Sequence, residues 1–189
     1  MGGRRDGAPE LAPADRADWR RWLTEHAETA AGAWVTCARR EGAFSYEEMV
    51  REGLCFGWID STARKADDGR SMIWMGPRRP GSPWAASNRQ RVTELLEQGL
   101  MAPPGLALVE QAKADGSWTV LMPVEALQVP DDLAAALDGA AGARDAYEAL
   151  PPSARKQLLW HVVGAKRAET RQRRVADVVR RVLEGDRLP

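Results

Sequence analysis

Two strand-like runs most constrain how this chain can fold. Trp58 to Ala63 and Ser71 to Met75 are rich in aromatic and β-branched residues and flank the polar turn Asp67-Asp68-Gly69. Such runs between turn signals predict strands. Their separation exceeds a tight hairpin, so the sequence leaves their pairing open. Trp34 to Cys37 and Trp118 to Met122 are two further strand candidates.

The rest of the chain reads mainly as helix. Trp19, Trp22, Leu23 and His26 recur at spacings of three and four, predicting an amphipathic helix from about Asp15 to Thr29. Ser45 and Glu48 form a capping box ahead of Met49, Val50 and Leu54, and that helix should stop near Gly57. Ser82-Pro83 reads as a helix start, with Val92, Leu95 and Leu96 facing inward and Gly99 as the stop. Pro103-Pro104-Gly105 reads as a break before a short helix from Leu106 to Ala114. From Pro130 onward every segment looks helical. Helices open at Asp131-Asp132, Ala143 and Pro151-Pro152-Ser153, and a last one runs from about Ala168 to Leu183. It carries Val175, Val178, Val179 and Val182 on one side. The expected fold is α+β, a small mixed body with a C-terminal helical module. Residues 1–14 would form a disordered lead-in, 15–126 the main domain with a pocket, and 127–189 a helical module packed on it.

Charge narrows the function. Lys plus Arg and Asp plus Glu both total 27, so the formal net charge is zero, which argues against a nucleic-acid partner. Cys37 and Cys55 lie in apolar contexts and read as buried thiols rather than a disulfide framework. The stretch from Met1 to Leu11 lacks the apolar run of a signal peptide, and no segment reads as a membrane span, so the expected location is cytoplasmic. The GxGxxG fingerprint, the phosphate loop, HExxH and the calcium loop are all missing from the sequence. The reading therefore carries no cofactor and no metal.

Several separated blocks resemble a known family. Leu54–Lys65, Pro77–Val92 and Gly99–Trp118 look like the bacteriocin-protection family described as YdeI/OmpD-associated. In the tail, Ala146–Leu150 is similar to it with Tyr147 in place of Phe, and Ala165–Arg171 follows the same pattern. The resemblance spans roughly residues 15 to 185. It implies tolerance to an antimicrobial peptide or association with an outer-membrane porin, and it implies no particular reaction. Ser61 stands where the family carries Gly, and Ala85 where it carries Ser, beside the expected pocket. These departures leave open a shifted ligand preference or a lost activity.

The candidate site residues come from the stretch 54–88, where apolar, acidic, basic and amide groups crowd together. Asp60 shares a strand face with Trp58 and could exchange a proton or orient a cation, or it could form a salt bridge to Arg64, Arg78 or Arg79. Arg78 and Arg79, in a Pro- and Gly-bounded loop, offer forked donors to a carboxylate or phosphate. Trp84 and Asn88 are four apart on the expected helix and would share a face. His161 is the remaining imidazole base. Arg171 would reach the main domain or bind an anion. The eight tryptophans are read mostly as core, with a subset lining a cavity. The leading expectation is a binding and protection protein that recognises a small molecule or peptide antimicrobial through a tryptophan-rich pocket. Trp58, Arg78, Arg79, Trp84, Asn88 and Arg171 would contact the ligand. One alternative is a cofactor-independent enzyme using Asp60 or His161 as acid or base. Another is a protein-interaction module built on the basic C-terminal helices. A homodimer is left open, because apolar helix faces serve an internal core or a dimer equally well.

Overall fold

A computed structural model describes residues 7–37, 43–65 and 71–186. The expected turn at Asp67–Gly69 and residues 1–6 of the lead-in lie outside the described residues. The chain divides into two compact units, Met1–Thr119 and Val120–Pro189. Among the described residues the fold is α+β, a four-stranded mixed sheet with helices followed by a helical stretch.

In the first unit the elements run β1 (Glu10–Leu11), α1 (Arg16–His26), β2 (Ala33–Cys37), α2 (Tyr46–Cys55), β3 (Trp58–Lys65), β4 (Ser71–Pro77), α3 (Ala86–Glu97) and α4 (Pro103–Ala114). The sheet order is β1-β2-β4-β3. β1 runs parallel to β2, and the other pairs are antiparallel. The two strand-like runs thus do pair, as β3 and β4. β1 falls within the stretch read as lead-in. It is only two residues long and depends on β2 for its register, so no local pattern announces it.

Local chemistry explains the helix starts. Asp15 accepts from the amide of Asp18 at α1, and the Ser45–Glu48 capping box is fully formed at α2. Ser82-Pro83 does not cap α3, whose N-cap is Ala85. The Ser82 amide instead bonds the Arg79 carbonyl at 3.2 Å, so this residue closes a turn. Pro103 and Pro104 do not break the chain but occupy the first turn of α4, where a missing N–H costs nothing. Leu96 is exposed rather than inward. Trp118–Met122 is not a strand. The amide of Trp118 caps back onto Ala112, its ring packs on Trp84, and Met122 already begins a helix.

One face of the sheet is sealed. Alternation sends Ala33 and Val35 of β2, Met75 of β4 and Trp58 of β3 into one core with Trp19, Leu23, Met49 and Leu54 of α1 and α2. Each fully buried side chain of this size contributes about 1.5–3 kcal/mol. Cys55 lies in this core, and burial pushes its thiol up to about 11, which makes it unreactive. Cys37 is only half-buried.

The second unit contains α5 (Met122–Glu125), α6 (Asp131–Gly139), α7 (Ala143–Glu148), α8 (Pro152–Val163) and α9 (Ala168–Glu184). Leu133, Leu137, Tyr147, Leu159, Val162 and Val178 form its own core. Val175 and Val182 join it from α9, while Val179 is half-buried at its margin. Among the described residues, no helix is long and apolar enough to cross a membrane.

Candidate functional site

The second face of the sheet carries a different set of side chains. Trp34 of β2 and Trp74 of β4 are register partners, so their rings meet on one side, edge to face at 5.4 Å. Met72 joins them in a small cluster separate from the main core. Gly32 explains how Trp74 lies so low. A Cβ there would sit 2.2 Å from the indole, and the backbone φ of +150° also favours glycine. The glycine lets the ring rest on the main chain.

Beside Trp74 the sheet opens into a cleft of about 430 Å³. Ile59, Trp74 and Gly76 line it from the strands, Ala31 and Pro77 border it, and Ser61, Arg79 and Ser82 supply its polar groups. Two sequence features shape it. The β3–β4 register shifts between Asp60 and Ala63, so Ser61 and Thr62 together face Trp74. Then Arg79-Pro80-Gly81-Ser82 makes a turn, with Pro second, Gly81 third at φ +69°, and Ser82 bonding back to Arg79 through its amide and its hydroxyl. That turn fixes the backbone from which Arg79 projects. Among the described residues the Arg79 guanidinium has no hydrogen-bond or ion-pair partner, and its side chain is exposed.

Arg78 goes the other way. It is 8% exposed, and its guanidinium lies 4.0 Å over the Trp84 ring. It donates to the carbonyls of Ser82 and Pro83. Burial pulls its pKa down, and the charge of Asp60 partly offsets this. Its Nε is buried without a partner. Trp84 precedes the N-cap of α3, so Trp84 and Asn88 do not share a helix. Trp84 packs against Trp118 at 5.0 Å.

A polar cluster stands at the start of α2. Tyr46 Oη donates to Asp60 Oδ2 at 2.6 Å. Burial first, and then the Asp60 carboxylate, push the Tyr46 phenol up to about 12. Arg91 donates to Asn88 Oδ1 at 2.8 Å and pairs in bidentate fashion with Glu47, holding that carboxyl below its usual range. The close partner of Asp60 is therefore a phenol, not an arginine. Arg64 pairs with Glu10 and lies 4.2 Å over Trp34. Trp58 sits in the core at 1% exposure, its indole N–H donated to the Ala27 carbonyl at 3.0 Å.

His161 and Arg171 belong to the helical unit. His161 Nε2 lies 3.4 Å from Asp177, and burial together with the Arg174 charge lowers its pKa. Arg171 grips Asp132 through two bonds of 2.6 and 2.9 Å, joining α9 to α6. Among the described residues, no group of three or more His, Cys, Asp or Glu side chains is placed to hold a metal ion.

The candidates from the sequence thus separate. Arg78 meets Trp84, Asn88 meets Arg91, and Asp60 meets Tyr46, while Arg79 alone reaches the cleft. Ile59, Trp74 and Ser82 were not among the sequence candidates for it, whereas Ser61 was placed beside the expected pocket as a departure from the family pattern. The available signal was the alternation in β4, which sends Trp74 and Met75 to opposite faces. The tryptophans, likewise, form no common cavity among the described residues. Trp19, Trp22 and Trp58 cluster, Trp34 pairs with Trp74, Trp84 pairs with Trp118, and Trp160 is exposed.

Residues 126–185 match a family model described as Bacteriocin-protection, YdeI or OmpD-Associated. The resemblance read across residues 15–185 is therefore narrowed to the C-terminal part. Residues 11–108 match a different model, described as Domain of unknown function (DUF8412). Leu54–Lys65 and Pro77–Val92 fall inside this second match, and Gly99–Trp118 begins within it and ends before the first one starts. Comparison with curated proteins and with solved structures found no match. The cleft lies wholly in residues covered by the longer match, which takes in just over half of the chain, and the chain belongs to the DUF8412 domain family.

Proposed function

We propose that this chain is a cytoplasmic binding and protection protein that takes a small antimicrobial or metabolite into the cleft on the Trp34–Trp74 face of its sheet. The observation that carries this reading is the cleft itself. Its volume falls in the usual range for small-molecule sites, and its mixture of apolar strand residues with a few polar groups is the mixture such sites use. The match of residues 126–185 to the bacteriocin-protection, YdeI or OmpD-associated model supports the protective role. Neither observation calls for chemistry on the ligand, so binding without turnover is the simplest account.

The test is calorimetric titration of the full chain with a panel of small antimicrobials and metabolites. Trp74→Ala removes the aromatic floor, and Trp160→Ala serves as a control on an exposed ring outside the cleft. Saturable binding that is lost in the first variant and kept in the second supports the reading. Binding that survives loss of Trp74 places the ligand elsewhere.

A further inference from the structure

We infer that the ligand of this cleft is a small organic anion with a flat apolar body, its charged end at Arg79 and its body over Ile59, Trp74 and Gly76. This rests on the reading of the cleft as a ligand site and specifies the chemistry it selects.

The first argument is charge. Among the described residues that line the cleft, Arg79 is the one ionisable group and none is acidic. Its neighbour Arg78 donates through one terminal nitrogen to two carbonyls and lies over the Trp84 ring, whereas Arg79 has no such partner among the described residues. A guanidinium presents planar forked donors matched to a carboxylate or related oxyanion. A cationic ligand would gain something from the indole of Trp74 but would meet the uncompensated charge of Arg79.

The second argument is position. The turn Arg79–Ser82 is closed by two bonds from Ser82 to the Arg79 carbonyl, so the stem of the arginine starts from a fixed point at the rim. Fixing that point lowers the ordering cost of binding. The third argument is shape. Gly76 adds no side chain to the floor, and a Cβ there would come within 3.2 Å of Trp74 Nε1. Ile59 is its register partner. The floor is thus a sheet surface covered by one indole, which suits a planar body lying flat on it.

The experiment titrates the full chain with indole-3-carboxylate, its neutral isostere indole-3-carboxamide, the cation tryptamine, and the flexible anion hexanoate. The carboxylate is expected to bind at least about tenfold more tightly than each of the others, one tenfold step being about 1.4 kcal/mol. Arg79→Gln should bring the carboxylate down to the level of the amide and leave the amide unchanged. Raising the salt concentration should weaken the two carboxylates and leave the neutral amide unchanged. Equal binding of carboxylate and amide, or tighter binding of tryptamine, overturns the anion inference while the cleft reading stands. Equal binding of hexanoate overturns the flat body. No binding of any of the four, together with no hit for the full chain in the wider panel, overturns the cleft reading as well. Arg79 is exposed on a turn, so unchanged circular dichroism and thermal midpoint in Arg79→Gln would show that the variant is folded.

Discussion

Trp58 and Trp74 sit on opposite faces of the same sheet, one strand apart. On the first face α1 and α2 seal the surface, and the buried indoles give their N–H groups to the chain itself, Trp58 to Ala27 and Trp19 to Met49. On the second face Trp34 and Trp74 make a small cluster with an arginine laid over one ring and a cleft beside the other. The adjacent arginines repeat the contrast, since Arg78 is committed to Trp84 and Arg79 is held at the cleft rim. Residue type alone does not separate a side chain sealed in the core from one that borders the cleft here, since strand register and the cover over each face decide it.

The largest effects should test this contrast between faces. Trp58→Ala should cost about 4 kcal/mol of stability, because it empties a sealed core and orphans the Ala27 carbonyl. Trp74→Ala should cost about 2 kcal/mol, because its site already opens into a cleft. Denaturant unfolding measures both, and equal losses would break the comparison.

The arginine pair sharpens it. Arg78→Ala should cost about 2 kcal/mol through its charged hydrogen bonds and its contact with Trp84. Arg79→Ala should change stability by less than about 0.5 kcal/mol. A large loss at Arg79 would show that this residue, too, is spent on the fold.

Smaller effects come from the polar cluster. Tyr46→Phe removes the bond to Asp60 and should cost about 1 kcal/mol or less at neutral pH. The sign of its pH dependence follows from the phenol. Its folded value, about 12, lies above its ordinary value of 10.0, so the folded chain holds the proton more tightly. Its contribution should be whole below pH 10 and fade as pH rises toward 12. Ultraviolet titration of Tyr147→Phe, which leaves Tyr46 as the sole tyrosine, reads this directly. A midpoint near 10 would remove the Asp60 contact from the account.

The smallest change is expected in the helical unit. Arg171→Ala should cost less than about 1 kcal/mol, since its bond to Asp132 is partly exposed. Arg171 holds the Asp132 carboxyl below its usual range, so the pair's contribution should be present above the ordinary aspartate value and vanish as pH falls. Comparing the acid limbs of unfolding for the chain and the variant checks it.

Much of the fold was legible because its signals are local. The capping box at Ser45 and Glu48, the runs that became β3 and β4, and the valine stripe of α9 each sit within a few residues of one another. Failures came where the deciding partner was distant. Trp118 looked like a strand residue but packs on Trp84, and Glu10–Leu11 became a strand only by pairing with Trp34 and Val35. The site was half legible for the same reason. Arg79 stood out in its Pro- and Gly-bounded turn, whereas Ile59 and Trp74 required the register of three strands.

The chain by itself determined most of its helices, three of the four strands among the described residues, and the Pro- and Gly-bounded loop that carries Arg79, because periodicity, caps and turn residues act over short range. Tertiary structure alone decided which tryptophans became core and which bordered a cleft, and which of two neighbouring arginines found a partner. Those outcomes depend on strand register and on what covers each sheet face, and both are set by contacts between residues far apart in sequence.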